Sequence, residues 1–149
     1  VLGRDAPEIT QSVVLAMEGA CRARIVIRIL TAWRETMPSI GLSNTRRGAM
    51  ASWAKALRRE LPTCITINNV LPGCTDTDRL DSLADSIHEK TGRSKEDIQD
   101  TWMSQEPIGR LLQPMEHASA IPLLCLPLSG GIRGVRLAVD RGRMRPLHG

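Results

Sequence analysis

Along residues 42–61 the apolar positions Met50, Trp53, Ala54, Leu57 and Leu61 repeat at the spacing of one helical face, while Arg46, Arg47, Lys55, Arg58, Arg59 and Glu60 occupy the others. This pattern predicts an amphipathic helix, which Pro62 ends. Cys64 to Leu71 is short, apolar and rich in β-branched residues, and it lies between Pro62 and Pro72-Gly73, so it predicts a strand covered on both faces. Ile25 to Leu30 is the strongest strand signal in the chain. Arg28 within it places that residue near a strand end or marks a core under relaxed selection. Two such strands joined through a helix predict a right-handed parallel crossover.

The remaining pattern fills in around that unit. Asp5-Ala-Pro-Glu8 has capping-box character, with Asp5 as acceptor, and predicts a helix with Ile9, Val13, Val14, Met17 and Ala20 on one side. Thr31 to Gly41 reads as a loop. Thr77-Asp78 caps a helix carrying Leu80, Leu83, Ala84 and Ile87, which Thr91-Gly92 ends; Ser94 to Asp97 is a second capping box, before Ile98 and Trp102. Pro114 begins a helix with Met115, Ala118 and Ile121, and Pro122 inside it should kink or break it at a cost of about 3 kcal/mol. Gly130, Gly131 and Gly134 mark turns before a last strand, Val135 to Asp140.

Composition narrows the class. At 149 residues and 42% hydrophobic content, one domain with a substantial core is expected. The net charge of +4 invites a nucleic-acid reading, but the basic residues are dispersed and the only aromatics are three Trp, so no stacking platform is available. The densest basic segment, Arg133 to Arg145, reads as a solvated terminus. Cys21, Cys64, Cys74 and Cys125 show no paired spacing, which fits a reduced, cytoplasmic protein. His88, His117 and His148 are too far apart in sequence to suggest a metal site. The apolar run 118–128 is too short to span a bilayer and is broken by Pro122 and Pro127, and no signal peptide is visible. A first residue of Val, not Met, fits a fragment or a processed product.

Four residues of the central unit, Asn68, Pro72, Gly73 and Thr77, stand at the spacings of the strand and turn in the second half of short-chain dehydrogenases/reductases, which the chain resembles. Pro107 to Pro114 is similar to that family's Pro-Leu-Gly-Arg-x-x-x-Pro segment, and Leu137 to Asp140 to its last strand. Leu42, Ser43, Asn44 and Arg47, with Thr77 to Leu80, resemble a divergent branch akin to 3-oxoacyl-acyl-carrier-protein reductases, in which Ser-Asn-x-x-Arg replaces Tyr-x-x-x-Lys. The resemblance spans residues 9–142 and covers only the C-terminal half of the family's domain. It implies an α/β fold: a partial, Rossmann-like, doubly wound parallel sheet made of the last strands and their helices, without the N-terminal dinucleotide-binding strands.

The resemblance also implies a chemistry, hydride transfer between NAD(P) and a carbonyl or hydroxyl, in which a Tyr moves the proton, a Lys lowers its pKa and a Ser orients the substrate. A phenol of pKa near 10 needs such a cation at neutral pH. This chain has no Tyr. Ser43 stands at the Tyr position as a much weaker acid, and Arg47 stands at the Lys position, able to hold a phosphate or polarise an oxygen but not to relay a proton. Leu30 occupies the Ser position, with Thr31 one residue out of register. No glycine-rich pyrophosphate turn is found. The implied cofactor wall is Pro72, Gly73 and Thr77, with an ordinary turn as the alternative. The helix pair 76–104 would lie over a substrate cleft, with Met103 facing it, or simply pack on the sheet. Two functional classes follow: an NAD(P)-linked oxidoreductase inactive as this isolated chain, or a non-catalytic interaction or dimerisation module. The apolar strand would expose an open edge suited to a second copy or a missing N-terminal half, and the Met50, Trp53, Leu57 face is a further dimer surface unless the sheet claims it.

Overall fold

The computed structural model describes residues 5–20, 22–30, 41–104 and 106–144. Their order is α1 (Asp5–Ala20), β1 (Ala23–Arg28), α2 (Gly41–Glu60), β2 (Ile65–Pro72), α3 (Asp78–Thr91), α4 (Lys95–Ser104), α5 (Pro114–Ala118), α6 (Ala120–Cys125), a 3-10 turn (Pro127–Gly131) and β3 (Arg136–Val139). The three strands form a parallel sheet in the order β1-β2-β3. Ala23 lies opposite Ile65 and Arg28 opposite Val70; Asn69 lies opposite Arg136 and Pro72 opposite Val139. This is the α/β partial Rossmann-like sheet expected from the sequence.

β2 is central and buried at all eight positions, as its two-sided apolar run requires. Ile65, Ile67, Val70 and Leu71 are at most 1% exposed, each worth about 1.5–3 kcal/mol of burial. Ile65 and Ile67 meet Ala54, Trp53 and Leu57 of α2, Leu61 just after it, and Val14 and Met17 of α1 on one face. On the other, Val70 meets Ala120 and Leu124. The sheet therefore takes Met50 fully and Trp53 and Leu57 in part.

Three expectations change. On α1, Val14 and Met17 turn inward, but Ile9 is 62% exposed and Val13 stands at the surface, because the helix rotates to bury Thr10. The apolar faces of α3 and α4 close on each other through Ala84, Ile98 and Trp102, instead of packing on the sheet. As Pro122 requires, the helix from Pro114 is broken, and the break falls one turn earlier at Ser119, because Pro122 has no N–H for the Ala118 carbonyl and its ring crowds that oxygen. The basic stretch after Gly131 is not a solvated tail. Arg133 donates to the carbonyls of Arg58, Leu61 and Thr63, closing the C-terminal end of α2. Arg28 ends β1 and is exposed, which resolves its cost in favour of the strand end. The loop 31–40, with Thr31, and the Asp5 side chain lie outside the described residues.

Candidate functional site

The carboxyl ends of parallel strands are where an open α/β sheet offers a crevice, and there β2 runs into Pro72-Gly73. Gly73 is required sterically: a Cβ on it would lie 3.0 Å from Asp140 Cα and 3.4 Å from Leu112 Cδ1. Its N–H donates to the Val139 carbonyl. Beyond it, Thr75 pairs with Leu112 as an isolated parallel bridge, with the Leu112 N–H donating to the Cys74 carbonyl and the Asp76 N–H to the Leu112 carbonyl. The Thr75 hydroxyl is buried and donates to the Gly73 carbonyl. Thr77 caps α3 by position, yet its hydroxyl makes no cap bond and reaches only the Thr75 carbonyl at 3.4 Å, so it stays exposed above the turn.

Asn68 serves this wall from below. It is fully buried, donates through Nδ2 to the Ile132 carbonyl and accepts at Oδ1 from the Val135 N–H. It pins the approach to β3, and its role here is structural.

Behind the turn is a polar cluster that sequence reading missed. Arg143 Nη1 lies 2.8 Å from Glu106 Oε1 and 2.8 Å from Cys74 Sγ, and the Glu106 side chain is wholly buried. Burial, with Glu106 beside it, pushes the Cys74 thiol up despite Arg143. Asp140 accepts from the Gly142 and Met144 N–H groups, holding the chain that brings Arg143 back. Next to it, Glu116 takes Arg110 in a two-point contact and Arg141 in a third, and accepts the Gln113 N–H; these bonds, led by Arg110, hold its carboxyl well below the usual range. No sequence signal links residues 37 and 69 positions apart.

The second candidate group sits in the first turns of α2. Ser43 and Arg47 are one helical turn apart, and Arg47 Nε donates to Ser43 Oγ at 2.9 Å. The Asn44 side-chain oxygen is buried without a partner. Burial, then Arg28 and Arg79, lower the Arg47 pKa. Arg79 lies two residues beyond Thr77, so the start of α2 and the start of α3 share one electrostatic neighbourhood. Leu30, half-buried at the end of β1, offers no hydroxyl there. Among the described residues no group of three His, Cys, Asp or Glu side chains is placed to hold a metal, and no helix is long and apolar enough to cross a membrane.

The sequence profile of the enoyl-(acyl carrier protein) reductase family matches residues 7–143. The chain is 34% identical over 119 residues to the uncharacterized oxidoreductase YmfI of Bacillus subtilis, covering 78% of this chain and 45% of that protein. It is 31% identical over 110 residues to the 3-oxoacyl-[acyl-carrier-protein] reductase FabG of Vibrio cholerae, covering 72% and 41%. Among solved structures it is similar to an actinorhodin polyketide ketoreductase crystallised with NADPH, with a TM-score of 0.78 and 27% identity over 85% of this chain and 49% of that one. The L-sorbose reductase of Gluconobacter frateurii, at 20% identity and a TM-score of 0.85, shares the fold. The chain spans about half the length of the relatives it matches.

Proposed function

Since the chain belongs to the short-chain dehydrogenase/reductase family, we propose that it forms the nicotinamide-facing and substrate-facing half of an NAD(P)-linked oxidoreductase acting on a carbonyl or hydroxyl group. The observation that carries this reading is the turn Pro72 to Thr77. Gly73 lets two backbones meet at the carboxyl ends of β2 and β3, and the Thr77 hydroxyl lies exposed above them, held only by a long bond to the Thr75 carbonyl. That arrangement suits a flat carboxamide ring lying on the turn, with Thr77 hydrogen-bonding the amide. The residues present fit a bound nicotinamide on this side only. When bound, NAD(P) supplies the hydride, and Pro72, Gly73 and Thr77 orient the ring. Ser43, held by Arg47, orients a substrate oxygen, and Arg47 supplies fixed positive charge beside it.

Neither side chain replaces a phenol in proton transfer, so in the completed protein the proton comes from water or from a group outside this chain, and the isolated chain, which has no pyrophosphate turn to hold the dinucleotide, does not turn over. Turnover requires the dinucleotide-binding half, supplied by further chain or by a partner. The natural substrate class on this reading is a carbonyl or acyl compound such as a 3-oxoacyl thioester, in a reduced, cytoplasmic setting. The test is an NADPH titration of the completed protein: Arg47→Ala weakens binding at least fivefold, and unchanged affinity removes Arg47 from the site. NADPH oxidation by the isolated chain with a 3-oxoacyl thioester stays at background; turnover there would contradict the reading.

A second reading, a dimerisation module without catalysis, is favoured by one observation. β1 is an edge strand, and Ile9, Val13 and Leu15 of α1 and Leu42 of α2 are exposed, Leu15 by 75%. Analytical ultracentrifugation separates the two: a tight dimer that binds no nicotinamide supports the module.

A further inference from the structure

We infer that Arg28, Arg47 and Arg79, with His117 beside them, form a receptor for an anionic group, a carboxylate or phosphate, carried by the small molecule this site takes. The inference rests on the reading of the site given above and adds its charge preference.

The four residues come from four elements. Arg28 ends β1, Arg47 lies in the second turn of α2, Arg79 opens α3 and His117 lies on α5. The end of β1 and the starts of α2, α3 and α5 all lie at the carboxyl end of the sheet; there burial, then Arg28 and Arg79, disfavours the charge on Arg47, while burial, then Arg28, holds His117 toward its neutral form. The topology therefore gathers like charges at the carboxyl end of the sheet, where ligands of such folds bind. The neighbouring arginines are treated differently. Arg110 and Arg141 share Glu116, and Arg143 holds Glu106. Among the described residues, no carboxylate pairs with Arg28, Arg47, Arg79 or His117.

The cluster is also oriented. Ser43 accepts from Arg47 Nε and, among the described residues, neither terminal nitrogen has a partner; these form the edge of the guanidinium that grips a carboxylate or phosphate at two points. The His117 Nδ1 atom is buried without a partner. Converging positive charge with no protein anion is stabilised by a ligand that brings one, and electrostatic focusing in a cleft raises its local concentration.

The test uses the whole 149-residue chain and two probes at constant ionic strength, inorganic pyrophosphate and malonate, followed by isothermal titration calorimetry. Saturable binding is expected for at least one probe, weakened tenfold or more in Arg28→Gln/Arg47→Gln and recovered in part by Arg28→Lys. Circular dichroism melts confirm that each variant is folded. Lys55→Gln/Arg59→Gln, which removes the same net charge from the outer side of α2, leaves affinity unchanged. Absence of saturable binding, or an equal loss in the Lys55/Arg59 control, overturns the receptor. NADPH that displaces the probe assigns the anion to dinucleotide phosphate; NADPH that binds alongside it assigns the anion to the substrate. If NADPH does not bind while pyrophosphate does, the nicotinamide reading fails and the anion receptor stands.

Discussion

The turn after β2 and the first turns of α2 both lie at the carboxyl end of the sheet, but they are held in place by different means. The turn is a backbone construction. Gly73 has no room for a side chain, Asn68 spans two main-chain groups, and Leu112 closes the far side through two main-chain hydrogen bonds. Few residue types satisfy such demands. Helix α2 is held by its apolar face, through Met50, Ala51 and Ala54, and the residues of its first turns need only be compatible with a helix. Ser43, Asn44 and Arg47 can therefore differ in chemistry from a Tyr-Lys pair while the scaffold stays intact. On the proposed reading, a wall fixed by geometry stands beside a position whose proton chemistry differs from that of a Tyr-Lys pair.

The largest expected effect comes from the buried pair behind the turn. Glu106→Ala leaves the Arg143 guanidinium in a site built around a carboxylate, and should lower stability by roughly 3–5 kcal/mol in urea unfolding. A loss under about 1 kcal/mol would place this pair with ordinary surface salt bridges and weaken the contrast. Gly73→Ala should cost about 1–3 kcal/mol, since the new methyl meets the Asp140 backbone and not a flexible side-chain end. Asn68→Ala leaves the Ile132 carbonyl and the Val135 N–H without their bonds, for about 1–3 kcal/mol.

Acid acts on the same wall. The Glu116 carboxyl has a folded pKa depressed below 4.5, first by Arg110, so its contribution is full above that value and is lost as pH falls through and below it. Stability of Glu116→Gln should therefore vary less with pH below 4.5 than that of the parent, which acid melts would show. Ser43→Ala should have the smallest effect, within about 0.5 kcal/mol, because only Arg47 Nε loses a partner and it lies near solvent. A larger loss would mean that α2 is as tightly determined as the turn.

The same distinction explains what was legible in the sequence. Pro72-Gly73, the two-sided strand and the helix stops are local demands, and each showed as a residue type at a fixed spacing. The rotation of α1 that exposes Ile9 and buries Thr10 was hidden, because its helical face is broad and the sheet decides which part is used. Arg133 and Arg143 read as tail charges, since their partners lie up to 75 residues away and charge spacing along the chain says nothing about such contacts. Ser43 and Arg47 were legible as a pair only through the family resemblance, at the positions of its Tyr and Lys. Their neighbours Arg28 and Arg79 became part of the same site only through the crossover of the fold.

The most direct measurement is saturation-transfer difference NMR of NADPH with the folded 149-residue chain, comparing the parent with Thr77→Val. With the wall present and no glycine-rich pyrophosphate turn in the chain, binding with a Kd on the order of 1 mM is expected. The nicotinamide protons should receive more saturation than the adenine protons, and Thr77→Val should reduce that difference. Saturation confined to adenine, or no transfer from a chain shown to be folded, would contradict the assignment of Pro72 to Thr77 as a nicotinamide wall.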